Sequence, residues 1–116
     1  MEEVAIVTRL SALLTYRVIQ MQREVEIVNQ LGLHARPAAE FVRCVQRFQC
    51  DVNIHRGNDC FSGGSILEVL SANLDCGARI VLEAIGSDAS EALDSLQKLL
   101  LAFREEEGSC AEGKLT

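Results

Sequence analysis

Apolar and polar positions alternate through Glu24-Val25-Glu26-Ile27-Val28, which places Val25 and Ile27 on one side and predicts a first strand over residues 23–29. The period then changes. From about Ala35 to Arg47, Ala38, Val42 and Val45 recur at helical spacing, with Phe41 and Phe48 at the edges of the stripe. Alternation returns at Cys50 to His55, where Cys50, Val52 and Ile54 face inward and Asp51, Asn53 and His55 face solvent. Arg56-Gly57-Asn58-Asp59 is a hairpin turn signal and leads into a short third strand at Cys60 to Ser62. Ile66 to Leu70 reads as one or two helical turns with Ser65 as its N-cap. A fourth strand, Ala78 to Ile85, sets Ile80, Leu82 and Ala84 against Arg79, Val81 and Glu83. The last stripe, Ala89, Leu93, Leu96, Leu100 and Phe103, is an amphipathic helix. Asp88 with Glu91 fits a capping box at its start, and Ser87 is an alternative cap.

The order β-α-β-β-α-β-α predicts an α+β fold. One four-stranded, mainly antiparallel sheet with three helices on one face buries every stripe economically. The 116 residues suffice for one small domain. Two ends fall outside the pattern. Residues 105–116 are polar with two glycines and read as a frayed C-terminal tail. Residues 1–20 are apolar-rich, and Ile6, Leu10, Leu13 and Leu14 can form one face of a short helix. Three readings of this extension stay open: it packs on the domain, it docks a partner, or it lies upstream of the natural start, for which Met21 is a candidate. An acidic beginning is wrong for a secretory signal, and charged residues interrupt every apolar run, so no stable membrane insertion is expected.

Composition narrows the function. A net charge of −6 argues against a nucleic-acid partner, which would require a basic face. The five cysteines are odd in number and contain no Cys-x-x-Cys. A disulfide framework or a metal site is therefore not expected, and reduced, buried thiols in a cytoplasmic protein are.

The candidate chemistry lies at Gly32-Leu33-His34-Ala35-Arg36-Pro37-Ala38, between the first strand and the first helix. Pro37 is tolerated in a first helical turn, where N–H groups have no intrahelical partner. The remaining amides there attract anions. His34 brings a nucleophilic imidazole and Arg36 a donor for an oxyanion. Together they can accept a phosphoryl group and hold its charge. The plainer alternative is that His34 only caps the helix and Arg36 is a solvated charge. His55, on the outer parity of its strand, reads as a surface residue.

The motif at residues 32–38, in its strand–loop–helix setting, and a second motif, Ser65-Ile66-Leu67 heading a short helix, resemble HPr, the histidine-containing phosphocarrier of the bacterial phosphoenolpyruvate-dependent sugar phosphotransferase system. The resemblance spans roughly residues 22–104. It implies an HPr-like open-faced β-sandwich over residues 21–104 and no cofactor. It also implies that His34 is phosphorylated on Nδ1 by phospho-enzyme I and passes the group to enzyme IIA domains, with Arg36 stabilising it and Pro37 keeping the first turn open. Such a protein is a stoichiometric carrier rather than a stand-alone enzyme. Ser65 matches a regulatory serine modified by HPr kinase/phosphorylase in some bacteria, and Ile66, Leu67 and Leu70 fall on the docking face. A regulatory module of the same fold, in the nitrogen-related branch or signalling through Ser65, is the alternative. Two departures stand out: Gly63-Gly64 before Ser65, where many members carry lysine or another polar residue, and Leu31, where some carry a small polar residue near the phosphate.

Overall fold

The computed structural model describes residues 19–110; the expected face Ile6, Leu10, Leu13 and Leu14 lies outside them. The elements follow the predicted order: β1 (Gln20–Glu26), α1 (Ala35–Gln46), β2 (Asp51–Arg56), β3 (Asp59–Ser62), α2 (Ile66–Ser71), β4 (Arg79–Ile85) and α3 (Ala89–Glu107). The strands form one antiparallel sheet in the order β1-β4-β2-β3. β4 is sandwiched between β1 and β2, with Met21 and Val52 both opposite Ala84.

The inward positions of the strands are the ones the alternation selects. Val25, Val52, Ile54, Ile80, Leu82 and Ala84 are buried beneath the helices. The α3 stripe Ala89, Leu93, Leu96, Leu100 and Phe103 is buried against them, and α2 contributes Val69. Each fully buried leucine or phenylalanine contributes about 1.5–3 kcal/mol of transfer free energy, so this shared core outweighs any local propensity. Phe41, expected at a helix edge, is fully buried instead. Phe48 stays at the margin, partly buried against the core.

Several boundaries differ from the sequence pattern, each because a tertiary contact decides it. β1 begins at Gln20, before the predicted first strand, because β4 offers it partners as far as Ile85. The ladder continues past Ile85, where the Gly86 N–H donates to the Ile19 carbonyl at 2.8 Å. Asp88 is the N-cap of α3 but closes no capping box. Its carboxylate accepts from the amides of Gln49 and Cys50 at 2.8 and 3.0 Å, tying the α1–β2 connection to the start of α3. Those amides hold the Asp88 carboxyl below its usual range, Gln49 first. On the open face of the sheet, Glu83 is buried among His55 (2.8 Å), Asn53 (3.4 Å) and Gln20. His55 is thus a hydrogen-bond partner of Glu83 rather than a free surface group.

The C-terminal end departs most from expectation. α3 runs on to Glu107, and an isolated bridge joins Ser109 to Asn29. Cys110 is disulfide-bonded to Cys76 across 34 residues of chain. Neither cysteine is thus a free buried thiol. Cys44 and Cys50 are buried and free as expected, whereas Cys60 is exposed. Cysteine spacing could not show this pair, because only the fold brings the β4 approach beside the end of α3.

Candidate functional site at the start of the first helix

The loop between β1 and α1 is held by backbone contacts that need particular residues. Gly32 has φ +67, and a Cβ there would lie 2.4 Å from the Leu74 carbonyl oxygen. Only glycine meets both conditions comfortably. The loop therefore lies flat on the segment after α2, where the Leu33 N–H donates to Leu74 O at 2.9 Å. Asn29, fully buried, donates from Nδ2 to Gly32 O at 2.8 Å and closes the loop.

His34 is the N-cap of α1 by backbone position, but its side chain makes no capping hydrogen bond. The imidazole therefore does not cap the helix through its side chain, and it is turned to another partner. The first helical bond is made by the Ala38 N–H to His34 O at 2.9 Å, so the amides of Ala35 and Arg36 precede it. Pro37 packs its ring into the core and offers no competing donor.

The His34 ring is 40% exposed, and its Nε2 lies 2.9 Å from Oε2 of Glu107, which is 10% exposed. The other Glu107 oxygen accepts from Asn29 Nδ2 at 2.8 Å. Burial alone would raise the Glu107 carboxyl, but the Asn29 and His34 hydrogen bonds outweigh it and hold the group below its ordinary value. Arg36 donates to Glu40 Oε2 at 2.8 Å and to Glu106 Oε1 at 3.1 Å. Glu106 chiefly, with Glu40, raises the already high guanidinium value further. The end of α3 thus supplies one carboxylate to His34 and another to Arg36 at the start of α1.

His34, Arg36 and Pro37 lie in sequence at the start of α1, with His34 at its N-cap and Pro37 buried in its first turn. Ser65 caps α2, and its Oγ accepts from the Glu68 N–H at 3.3 Å, while Glu68 Oε1 accepts from the Ser62 N–H at 2.7 Å. Ile66, Leu67 and Leu70 are exposed, Leu67 most of all at 74%, and Leu31 is exposed at 62%. Four site residues escaped the sequence reading: Asn29, Glu40, Glu106 and Glu107. A signal existed for the last. Glu107 lies four residues beyond Phe103, so a continuing helix keeps it on the buried stripe.

A family model described as the PTS HPr component phosphorylation site matches residues 21–101. The chain belongs to the HPr family. It is 40% identical over 85 residues to the phosphocarrier protein HPr of Pseudomonas putida, covering 72% of this chain and 94% of that one. It is 34% identical over 87 residues to the phosphocarrier protein NPr of Shewanella violacea, covering 75% of this chain and 96% of that one. Among solved structures, the HPr of Thermoanaerobacter tengcongensis superposes with a TM-score of 0.71 at 33% identity, covering 75% of this chain and 98% of that chain. The fold is therefore the open-faced HPr sandwich, and the chain is a phosphocarrier relative of the phosphotransferase system. The matched span of the family model stops at residue 101, short of Glu106 and Glu107. No helix among the described residues is long and apolar enough to cross a membrane.

Proposed function

We propose that the protein is a cytoplasmic phosphocarrier that accepts a phosphoryl group on Nδ1 of His34 from phospho-enzyme I and passes it to an enzyme IIA domain in sugar uptake. One observation carries this: an exposed imidazole with Nε2 already engaged stands at the open start of α1, two residues before Arg36, and the last two residues of α3 bind the two side chains. Phosphoryl transfer asks a protein mainly for positioning and charge stabilisation. The amides of Ala35 and Arg36 and the N-terminal end of the helix dipole face the incoming oxygens. The bond from the donor to phosphorus breaks as the Nδ1–P bond forms, and the step reverses toward the acceptor. The site is open, so donor and acceptor reach the same nitrogen in turn.

Arg36 has to share its donors with the phosphoryl oxygens, so its two carboxylate partners hold it in place until they arrive. Arg36→Ala is expected to slow His34 phosphorylation about 10²-fold, the usual loss when one charge-stabilising donor goes. Single-turnover labelling with enzyme I checks this, and an unchanged rate would remove Arg36 from the chemistry.

The exposed apolar residues Ile66, Leu67 and Leu70 are proposed as the docking face for enzyme I and IIA domains. Ser65, at the head of α2, is the proposed site for HPr kinase/phosphorylase. A phosphate there adds about −1.5 to −2 charge beside that face. Ser65→Asp is accordingly expected to weaken enzyme I binding several-fold in a titration, and an unchanged affinity would count against this docking face.

A second reading has specific support in the NPr relative: a carrier or regulatory module of the nitrogen-related branch. Transfer of label to sugar-specific and nitrogen-branch IIA domains, compared at equal concentration, separates the two. Faster transfer to the sugar-specific domain supports the first, and the reverse preference supports the second.

A further inference from the structure

We propose that Cys76 and Cys110 are a redox modification site: their disulfide closes a clasp on the β1–α1 loop that carries His34, and a protein dithiol opens the clasp and slows phosphoryl transfer. The inference rests on the carrier function proposed above.

Two segments hold the loop. One is the connection between α2 and β4. Gly32 lies so close to Leu74 and Asp75 that a Cβ would meet their backbone, the Leu33 N–H donates to Leu74 O at 2.9 Å, and the Gly77 N–H donates to Ile27 O at 2.7 Å. The other is the chain just beyond α3. The Gln30 N–H donates to Gly108 O at 2.9 Å, Ser109 bridges Asn29, and the Cys110 N–H donates to Val28 O at 3.2 Å. The Cys76–Cys110 disulfide joins these two holders across 34 residues of chain. Their Cα atoms are 5.7 Å apart, the usual spacing of a bridged pair. Without the bond, residues 108–110 keep only their contacts to the loop, and a chain end that is not tied down frays.

In a cytoplasmic protein such a bond is not a passive staple, because thiol pools there reduce disulfides that do not serve redox chemistry. Both cysteines are half-buried rather than enclosed, so a thiolate reaches the bond. The thiolate of a protein dithiol attacks the Cys76 sulfur, and Cys110 leaves as a thiolate. The second thiol of the dithiol then attacks its own partner sulfur in the mixed disulfide and releases Cys76. Two electrons pass from dithiol to disulfide; the dithiol gives up two protons, and the two cysteines take up two. A disulfide-bearing oxidant reverses the exchange and closes the clasp. Phosphoryl transfer depends chiefly on position, so a loosened loop transfers more slowly.

The test compares the full chain oxidised, reduced by dithiothreitol that is then removed, and reoxidised by oxidised glutathione. Alkylation of the unfolded oxidised sample is expected to modify Cys44, Cys50 and Cys60 and to spare Cys76 and Cys110, which react only after reduction. Single-turnover labelling by enzyme I and phosphoenolpyruvate is expected to slow several-fold on reduction and to recover on reoxidation. Hydrogen exchange at the Gln30 and Leu33 amides is expected to quicken on reduction, while that at Leu82, in the middle of the sheet, stays slow. Cys110→Ser is expected to match the reduced wild type with or without dithiothreitol, and Cys60→Ser to respond as the wild type does. Equal labelling rates in the oxidised and reduced wild type, or alkylation of all five cysteines before reduction, would overturn the proposal. Absence of label in both forms would instead overturn the carrier function, and the exchange rates would still decide whether the disulfide holds the loop.

Discussion

His34→Ala is expected to lose acid-labile label from enzyme I and phosphoenolpyruvate down to background, while the protein stays folded. The loss is complete because the substitution removes the proposed acceptor atom itself, not a group that assists it. Folding survives because the ring is partly exposed and makes no capping bond, and the backbone contacts of the loop do not depend on it. The variant does leave Glu107 without its histidine partner, so a modest fall in melting temperature is expected. Labelling and thermal unfolding on the same sample separate the two effects. Label that persists in a folded His34→Ala protein would place the acceptor elsewhere.

The second large effect is expected at Gly32. Gly32→Ala puts a Cβ 2.4 Å from Leu74 O and 2.8 Å from the Asp75 Cα, at a backbone φ of +67. The left-handed conformation alone costs a residue with a side chain about 1–3 kcal/mol. The clash adds to it, since both obstructing atoms are backbone and cannot rotate aside. The loop must then lift off the segment after α2, breaking the Leu33-to-Leu74 hydrogen bond and carrying His34 with it. Both stability and phosphorylation rate should fall. Gly57→Ala makes a clean comparison: its φ is +61, yet nothing lies within 4 Å of the added Cβ. It should lose only the conformational part, with a normal phosphorylation rate. Urea midpoints and single-turnover rates for the two variants check this, and equal losses in both would deny the loop its role.

The legible and illegible parts of this protein divide along a physical line. Alternation at Val52 and Ile54 and the stripe from Ala89 to Phe103 were readable because one buried face repeats with a fixed period. The His34–Arg36–Pro37 segment was readable because helix starts have local rules. What the sequence hid depends on contacts distant along the chain. Asp88 carried a capping-box signature, but the amides of Gln49 and Cys50 claimed its carboxylate. Glu106 and Glu107 fell in the segment read as a frayed polar tail, because nothing local says that the β1–α1 loop lies beside them. The Cys76–Cys110 pair was invisible for the same reason. Helical period beyond Phe103 was a signal for Glu107 that the sequence reading did not use, and only the fold shows that His34 lies opposite.

The most direct measurement is a two-step relay. The full chain is charged with labelled phosphoenolpyruvate and catalytic enzyme I, separated from them, and mixed with an isolated IIA domain. A phosphocarrier shows acid-labile label on His34 Nδ1, with a phosphoramidate ³¹P signal, that moves to the IIA domain and leaves the carrier unmodified. Failure of the wild-type protein to take label beside an active HPr control, or label that never leaves it, would contradict the carrier function.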